Sequence, residues 1–274
     1  MKAIDRLLIF DLKGPFAHFR KFYTSSSSLS YSFPPRTTIV GLIAGLLGRQ
    51  RDTYYEEFSS SKCRIALSIR TPVRKIMQSI NYLRTEKEDG YSRVDGVIRS
   101  FVERNITKYP TAVEFVVSSR LSEDIIYRLY FWHEDEGLLN ELYERVRRKR
   151  FVYPPYLGIS ELLADIKIVD FIVSSESLRE VDENGLVEIA TVVNKDNVKE
   201  LDFNTTEQTK VLQYINEKMP FEFGAGREIK RNNGFIYEKN QRVIRGRFKT
   251  SHLEIIYRDP EEKKENILFM EQAG

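Results

Sequence analysis

The sequence predicts an α+β fold: a ferredoxin-like domain over residues 1–175 with an inserted arm at about 74–110, and a β-rich region over residues 176–274. Three observations lead there. Between Ile4 and Ser174, strand-like apolar runs and two helical periods follow the order strand, helix, strand, strand, helix, strand, once one surplus hairpin is given partly to the arm. The stretch Arg74–Pro110 has little period of either kind and holds the turn signals Asp89-Gly90 and Asp95-Gly96. After residue 175 the chain turns to short alternating runs separated by glycine turns.

Taken in order, Ile4–Leu12 reads as a buried strand, ended by Gly14-Pro15. Pro34-Pro35 forbids helix upstream, and Thr37 or Thr38 is placed to cap the helix that follows. Ile39, Leu42, Ile43 and Leu46 recur at helical spacing, and Gly48 is a C-terminal stop. With Val40, Ala44 and Leu47 this helix has almost no polar side and is expected to be buried on most sides. Gly41 and Gly45 lie four apart on it, each costing about 1 kcal/mol relative to Ala, which suits a close approach of another backbone. Arg64–Val73 is the next strand. After the arm, Thr111–Ser118 and Ile125–His133 read as two more. Glu134–Arg150 is an amphipathic helix with Leu138, Leu139, Leu142 and Val146 on its apolar face, and Arg147–Arg150 where the helix dipole favours cations. Ile166–Ser174 closes the set. In the last region Asn184-Gly185 and Asn233-Gly234 each signal a hairpin, Gly224–Arg227 a glycine turn, and Val243–Ile256 a strand with Arg245, Arg247 and Lys249 on one side, either a basic strand face or an exposed edge guarded by charge.

The functional signal is concentrated in Leu12–Arg51, which has no Asp or Glu in a chain that is 30% charged. Its run His18-Phe19-Arg20-Lys21-Phe22-Tyr23 interleaves rings with cations, as stacking of bases and neutralisation of phosphates require. Ser25 and Ser26, in the serine tract that follows, supply hydroxyls. Arg36, Thr37 and Thr38 surround a helix N-terminus whose free N–H groups and dipole favour an anion. These residues, with Arg104 in the arm, are the candidate RNA contacts.

Composition narrows the alternatives. Net charge is only +3, but it is unevenly spread: Glu161–Glu207 holds twelve acids and four basic residues, Arg227–Lys249 eight basic residues and two acids. One cysteine excludes an internal disulfide framework, and three scattered histidines give no metal-ligand spacing. Neither signal peptide nor membrane span is legible, so a soluble cytoplasmic protein is expected, with no cofactor.

The motifs Gly14-Pro15-x-Ala17-His18-Phe19-Arg20-Lys21, Ser30-Tyr31-x-Phe33-Pro34-Pro35-Arg36-Thr37-Thr38-Ile39-x-Gly41-Leu42 and Tyr156-Leu157-Gly158-x-x-Glu161 resemble the fifth CRISPR-associated protein family of the RAMP superfamily, in its type I branch. The resemblance is specific over the first fifty or so residues and loose over the last hundred. It implies an RRM-like, ferredoxin-like domain with a β-hairpin thumb formed by the arm. It implies a subunit that caps the five-prime handle of crRNA in the Cascade surveillance complex for antiviral defence. The implied partners are the repeated backbone subunit, the large subunit and, through the complex, target DNA. His18, Phe19, Arg20, Lys21 and Tyr23 would face the handle, Arg36, Thr37 and Thr38 its backbone, and Tyr156, Leu157 and Gly158 would form a glycine loop.

The expected role is binding without catalysis. The alternative is a metal-independent endoribonuclease that processes precursor crRNA, since one branch of the resembled family cuts RNA with Tyr, His and Lys side chains and His18 has Arg20, Lys21 and Tyr23 close by. His133 and His252 read as structural. Gly224–Arg227 lacks the Lys-Ser/Thr of a nucleotide-binding P-loop.

Overall fold

The structure, a computed structural model, describes residues 4–24, 28–83, 108–182, 185–204 and 212–271. Ser25, Ser26, Arg104 and the two Asp-Gly signals of the arm lie outside the described residues.

The first half builds a four-stranded antiparallel sheet and two two-stranded ones. In chain order its elements are β1 (Leu7–Gly14), the short pair β2 (Phe19–Arg20) and β3 (Ser30–Tyr31), α1 (Arg36–Leu47), β4 (Cys63–Ile69), β5 (Val73–Leu83), β6 (Lys108–Ser118), β7 (Ile125–His133), α2 (Glu136–Arg147) and β8 (Asp165–Ile172). The main sheet runs β4-β7-β1-β8. Strand β1 is apolar at consecutive positions because both its faces are covered. Leu8, Phe10 and Leu12 join α1 and α2 in one hydrophobic cluster, while Leu7 and Ile9 join residues from the end of the chain in a second.

The helices follow the sequence with small shifts. Helix α1 starts at Arg36 with Pro35 as its N-cap and no side-chain cap, so neither Thr37 nor Thr38 performs that role. Gly48 ends it in the left-handed conformation, as its position suggests. Helix α2 is capped by Asp135, whose carboxylate accepts from the backbone N–H groups of Gly137 and Leu138. The basic residues at its end are held within the fold: Arg147 and Arg148 pair with Glu144, and Lys149 with Asp165.

Strands β5 and β6 form a two-stranded ribbon with continuous register from Val73↔Ser118 to Leu83↔Lys108. Thr111–Ser118 is therefore the returning strand of the arm, which accounts for the surplus strand in the sequence reading. A buried polar cluster secures its base. Glu217, from the C-terminal region, accepts from the Ser32 N–H (2.9 Å) and from Lys75 Nζ (3.1 Å), and Lys75 also donates to the Ser30 carbonyl (2.7 Å).

Among the described residues the rest of the chain holds nine strands: β9 (Leu178–Val181), β10 (Val187–Ile189), β11 (Val193–Asn194), β12 (Val198–Leu201), β13 (Tyr214–Phe223), β14 (Ile229–Glu238), β15 (Ile244–Phe248), β16 (His252–Arg258) and β17 (Glu262–Ile267). They form three-stranded sheets in the orders β10-β15-β12, β11-β14-β13 and β17-β16-β9. The last covers the second face of the main sheet, fastened by Arg70 to Glu265 and by Arg128 to both Asp11 and Asp259. Met219, Phe221, Phe235, Tyr237 and Met270 sit in the same core cluster as β1 and α1, so both regions share one core.

Three expectations for this region are corrected. Asn184 lies outside the described residues, but the strands on either side of Asn184-Gly185 do not pair with each other as a hairpin requires: β9 pairs with β16 and β10 with β15, because Leu178 buries in one cluster and Val187 and Ile189 in another. Asn233-Gly234 is not a turn but the middle of β14, where Gly234 leaves room for Asn216, whose Oδ1 would lie 2.9 Å from a Cβ there. The real hairpin turn is Gly224–Arg227, with the Gly224 N–H on the Glu228 carbonyl and Arg227 at φ 63°. Finally, β15 is the central strand of its sheet, not an edge, and Arg245 and Arg247 pair with Asp202 and Glu200. The acidic and basic stretches of the sequence thus partly neutralise each other inside the fold.

Candidate nucleic-acid interface

Helix α1 buries Ile39, Val40, Ile43, Ala44, Leu46 and Leu47 against the sheet. Its remaining stripe, Thr37, Thr38, Gly41, Leu42 and Gly45, is half-buried rather than packed. This stripe is the floor of a cleft of about 520 Å³. Four separate segments wall it: Arg20 at the end of β2 with Phe22 just beyond, Arg49–Tyr55 after α1, Tyr153–Ile159 before β8, and the β13–β14 hairpin with Phe223 and Arg227. Among the described residues that line it there is no Asp or Glu, against Arg20, Arg49, Arg51 and Arg227. Tyr54, Tyr55, Tyr153, Tyr156 and Phe223 supply rings. Arginine guanidinium groups among aromatic faces, on a floor without carboxylates, can neutralise phosphates and stack bases.

The cations differ in freedom. Arg49 is bound by both carboxylate oxygens of Glu57, which raises its pKa and fixes it as part of the wall. Arg51 is exposed beside Asp52. Arg20 is exposed and donates only to the Thr24 carbonyl, with no carboxylate partner among the described residues. Asp52 is not among the lining residues but stands next to them, and its carboxylate accepts from the Tyr55 hydroxyl. That bond first, and Arg51 and Arg227 after it, hold its carboxyl below the usual range.

The sequence-predicted contacts separate into two groups. Arg20, Thr37, Thr38, Tyr156 and Gly158 line the cleft. His18 and Phe19 also border it, but their side chains are buried. His18 Nδ1 donates to the Glu114 carbonyl (2.8 Å), so Nε2 accepts from the Ser28 hydroxyl (2.8 Å). Lys21 turns away toward Glu217. Burial opposes its charge, but Glu217 and Tyr23 outweigh that and raise its pKa. Tyr23 is exposed and packs edge-on against Phe22. Leu157 is buried in the main core, so it braces the glycine loop rather than offering a contact.

Arg36 is the clearest correction. It is 2% exposed, paired with the buried carboxylate of Glu271, and donates to the Phe58 carbonyl (3.0 Å). Its guanidinium lies over the Phe221 ring, with Arg231 also over that ring. It is an internal brace and presents no charge to a ligand, because the C-terminal segment closes over it.

The glycine loop is placed by contact with the basic-aromatic segment. The His18 N–H donates to the Leu157 carbonyl (2.9 Å), and Gly158 has φ 102°. A Cβ at Gly158 would stand 1.9 Å from the His18 carbonyl oxygen, so only glycine fits.

Sequence reasoning missed Tyr54, Tyr55, Tyr153, Phe223 and Arg227 as cleft residues. The only local signals were the tyrosine pair just after the acid-free window and the arginine ending the glycine turn. His133 is structural, its Nε2 facing the Glu57 carbonyl (2.9 Å) and its Nδ1 accepting from the Asp135 N–H (3.0 Å). Among the described residues no cluster of three or more His, Cys, Asp or Glu could hold a metal ion, and no helix is long and apolar enough to cross a membrane.

Comparison with known proteins decides the family. The family model described as CRISPR-associated protein (Cas_Cas5), Cas_Cas5d, matches residues 7–214. The chain belongs to that family. No curated protein sequence matches it significantly. Among solved structures, it is similar to a chain of a "CRISPR RNA-guided surveillance complex" at 13% identity and TM-score 0.47, over 87% of this chain and 91% of the other. It is also similar to a CRISPR protein from Archaeoglobus fulgidus at 11% identity and TM-score 0.48, over 96% and 100%. A third likeness, at 12% identity and TM-score 0.40 over 88% and 86%, is to a chain of a Type III-B Cmr-beta complex bound to cognate target RNA and AMPPnP. The family assignment rests on the family model and on the motifs that build the cleft.

Proposed function

We propose that this chain is a non-catalytic RNA-binding subunit of a type I CRISPR effector complex, and that it caps the five-prime handle of crRNA in the α1 cleft. The observation that carries the reading is the cleft itself: arginines and aromatic rings around a helix stripe of glycines and threonines, with no carboxylate among the described lining residues. Single-stranded RNA requires that combination of stacking surfaces and cations. The β4-β7-β1-β8 order supports a ferredoxin-like reading of the domain, and the pairing of β5 with β6 supports reading the arm between them as a thumb toward a neighbouring backbone subunit. Family membership supports the assembly role.

Binding without cutting is favoured by His18. A general base needs a free nitrogen within reach of the RNA hydroxyl. Both ring nitrogens of His18 are engaged within the protein, and the ring is buried. The test is incubation of the full chain with labelled single-stranded repeat RNA in EDTA, read by gel shift and denaturing gel together. A retained, uncut RNA supports the proposal. A product at one position, lost in His18→Ala, would replace it with the metal-independent endoribonuclease.

A further inference from the structure

We infer that Asp52 is a specificity-determining residue of the cleft: its carboxylate, anchored beside the lining arginines, opposes bare phosphate chains, so that a strand must bring bases in order to bind well. This deepens the RNA-binding reading and rests on it. Asp52 sits in the turn after α1, at φ 61°, next to the lining residue Arg51 and just before Tyr54 and Tyr55. One carboxylate oxygen accepts from the Tyr55 hydroxyl (2.5 Å) and the other from Arg51 Nε (3.2 Å). Tyr55 is buried and packs edge-on against Phe223, with ring centroids 5.8 Å apart. The carboxylate is therefore anchored to the wall of the cleft through Tyr55, while its arginine partner is 83% exposed. Arg227, from the β13–β14 turn, is near enough to favour the same carboxylate, after the Tyr55 bond and Arg51.

Neither the backbone nor the hydrogen bond accounts for the charge. Asparagine adopts the left-handed conformation as readily as aspartate does. Its side-chain oxygen accepts from a tyrosine hydroxyl as a carboxylate oxygen does. An ion pair as exposed as Arg51–Asp52 adds little to stability. What the charge alone supplies is repulsion of a phosphate drawn to Arg51 or Arg227. A chain of phosphates carries charge on every link and has no ring, so it meets that repulsion without compensation. An RNA strand has sugars between its phosphates, and its bases gain stacking on Tyr54, Tyr153 and Tyr156. Repulsion built against a competitor is how a site separates ligands of the same charge.

The experiment measures binding of labelled single-stranded repeat RNA to the full chain, with inorganic polyphosphate as competitor, for the unaltered chain, Asp52→Asn and Asp52→Ala. Asp52→Asn removes the charge and keeps both the hydrogen bond and the backbone conformation, so it should melt with the unaltered chain. It is expected to bind polyphosphate roughly two- to five-fold more tightly, the range of one exposed charge interaction. Its gain for RNA is expected to be smaller, so the preference for RNA over polyphosphate falls. Asp52→Ala removes the charge and the Tyr55 bond together, and its preference should fall at least as far. A fall in Asp52→Asn cannot come from a disturbed wall, because that variant keeps the bond. If Asp52→Asn leaves the preference unchanged, whether or not Asp52→Ala alters it, the assignment is refuted while RNA binding stands. If the unaltered chain binds no RNA, the functional reading falls and this inference with it.

Discussion

The buried pair Arg36–Glu271 gives the sharpest quantitative prediction. Glu271→Ala removes the carboxylate paired with a guanidinium that is 2% exposed, and it strips the Ile65 N–H of its acceptor at 2.9 Å. Breaking a buried ion pair by deleting one partner costs about 3–5 kcal/mol, because the remaining charge stays buried and uncompensated. At about 2–4 °C per kcal/mol for chains of this size class, Tm should fall by roughly 10 °C. The double variant Arg36→Met, Glu271→Leu removes both charges and leaves mainly the orphaned Ile65 N–H, a cost of about 1–3 kcal/mol. Urea denaturation measures both. The double variant should be the more stable of the two, and its RNA affinity and salt dependence should match those of the unaltered chain. A Glu271→Ala chain within about 1 kcal/mol of the unaltered one, or an RNA salt slope that changes in the double variant, would refute the internal-brace assignment.

Further outcomes follow from the same structure. Gly158→Ala forces a Cβ to within 1.9 Å of the His18 carbonyl at φ 102°, so it should destabilise by at least about 2 kcal/mol and loosen the Tyr156 wall, seen as lower Tm together with weaker RNA binding. Acid sensitivity comes from Glu265 and Asp259. Burial pushes both carboxyls up, but the bonds to Arg70 and Arg128 outweigh it and hold them below their usual values of 4.5 and 3.8. Their contribution is therefore present above those values and lost as pH falls below them, and acid titration of stability should show Arg70→Met flattening that loss. In alkali the sign reverses. Burial first, then Glu217, pushes the Tyr237 hydroxyl up to about 12 from 10.0, so its contribution is intact below pH 10 and lost as pH rises toward 12. Tyr237→Phe should lessen that alkaline loss.

The first half of the fold was legible because its strands and helices carry complete periods: Leu8, Phe10 and Leu12 alternate with Leu7 and Ile9, and Leu138, Leu139, Leu142 and Val146 fall on one helical side. The C-terminal strands were less so. Asn233-Gly234 has the composition of a turn, but its glycine serves the close approach of Asn216 across two long strands, which no local pattern encodes. Arg36 misled for a related reason. An arginine at a helix start beside two threonines looks like an anion site, and the residue that buries it, Glu271, lies 235 positions away. The cleft was half legible. Its floor and Arg20 stand in the acid-free window, but its other walls come from Tyr54-Tyr55, Tyr153 and the Phe223–Arg227 hairpin, brought together only by the packing of β13 and β14 against α1.

The account turns on whether the arginines of this cleft meet RNA phosphates. The direct measurement is the salt dependence of binding of single-stranded repeat RNA to the full chain and to the triple variant Arg20→Ala, Arg51→Ala, Arg227→Ala. Each phosphate contact on a single strand contributes about −0.7 to the slope of log K against log salt. The account predicts weaker binding by the triple variant and a slope shallower by about 2, with Tm unchanged because all three side chains are exposed. Equal affinity and equal slope would contradict it and place the RNA, if bound, elsewhere on the molecule.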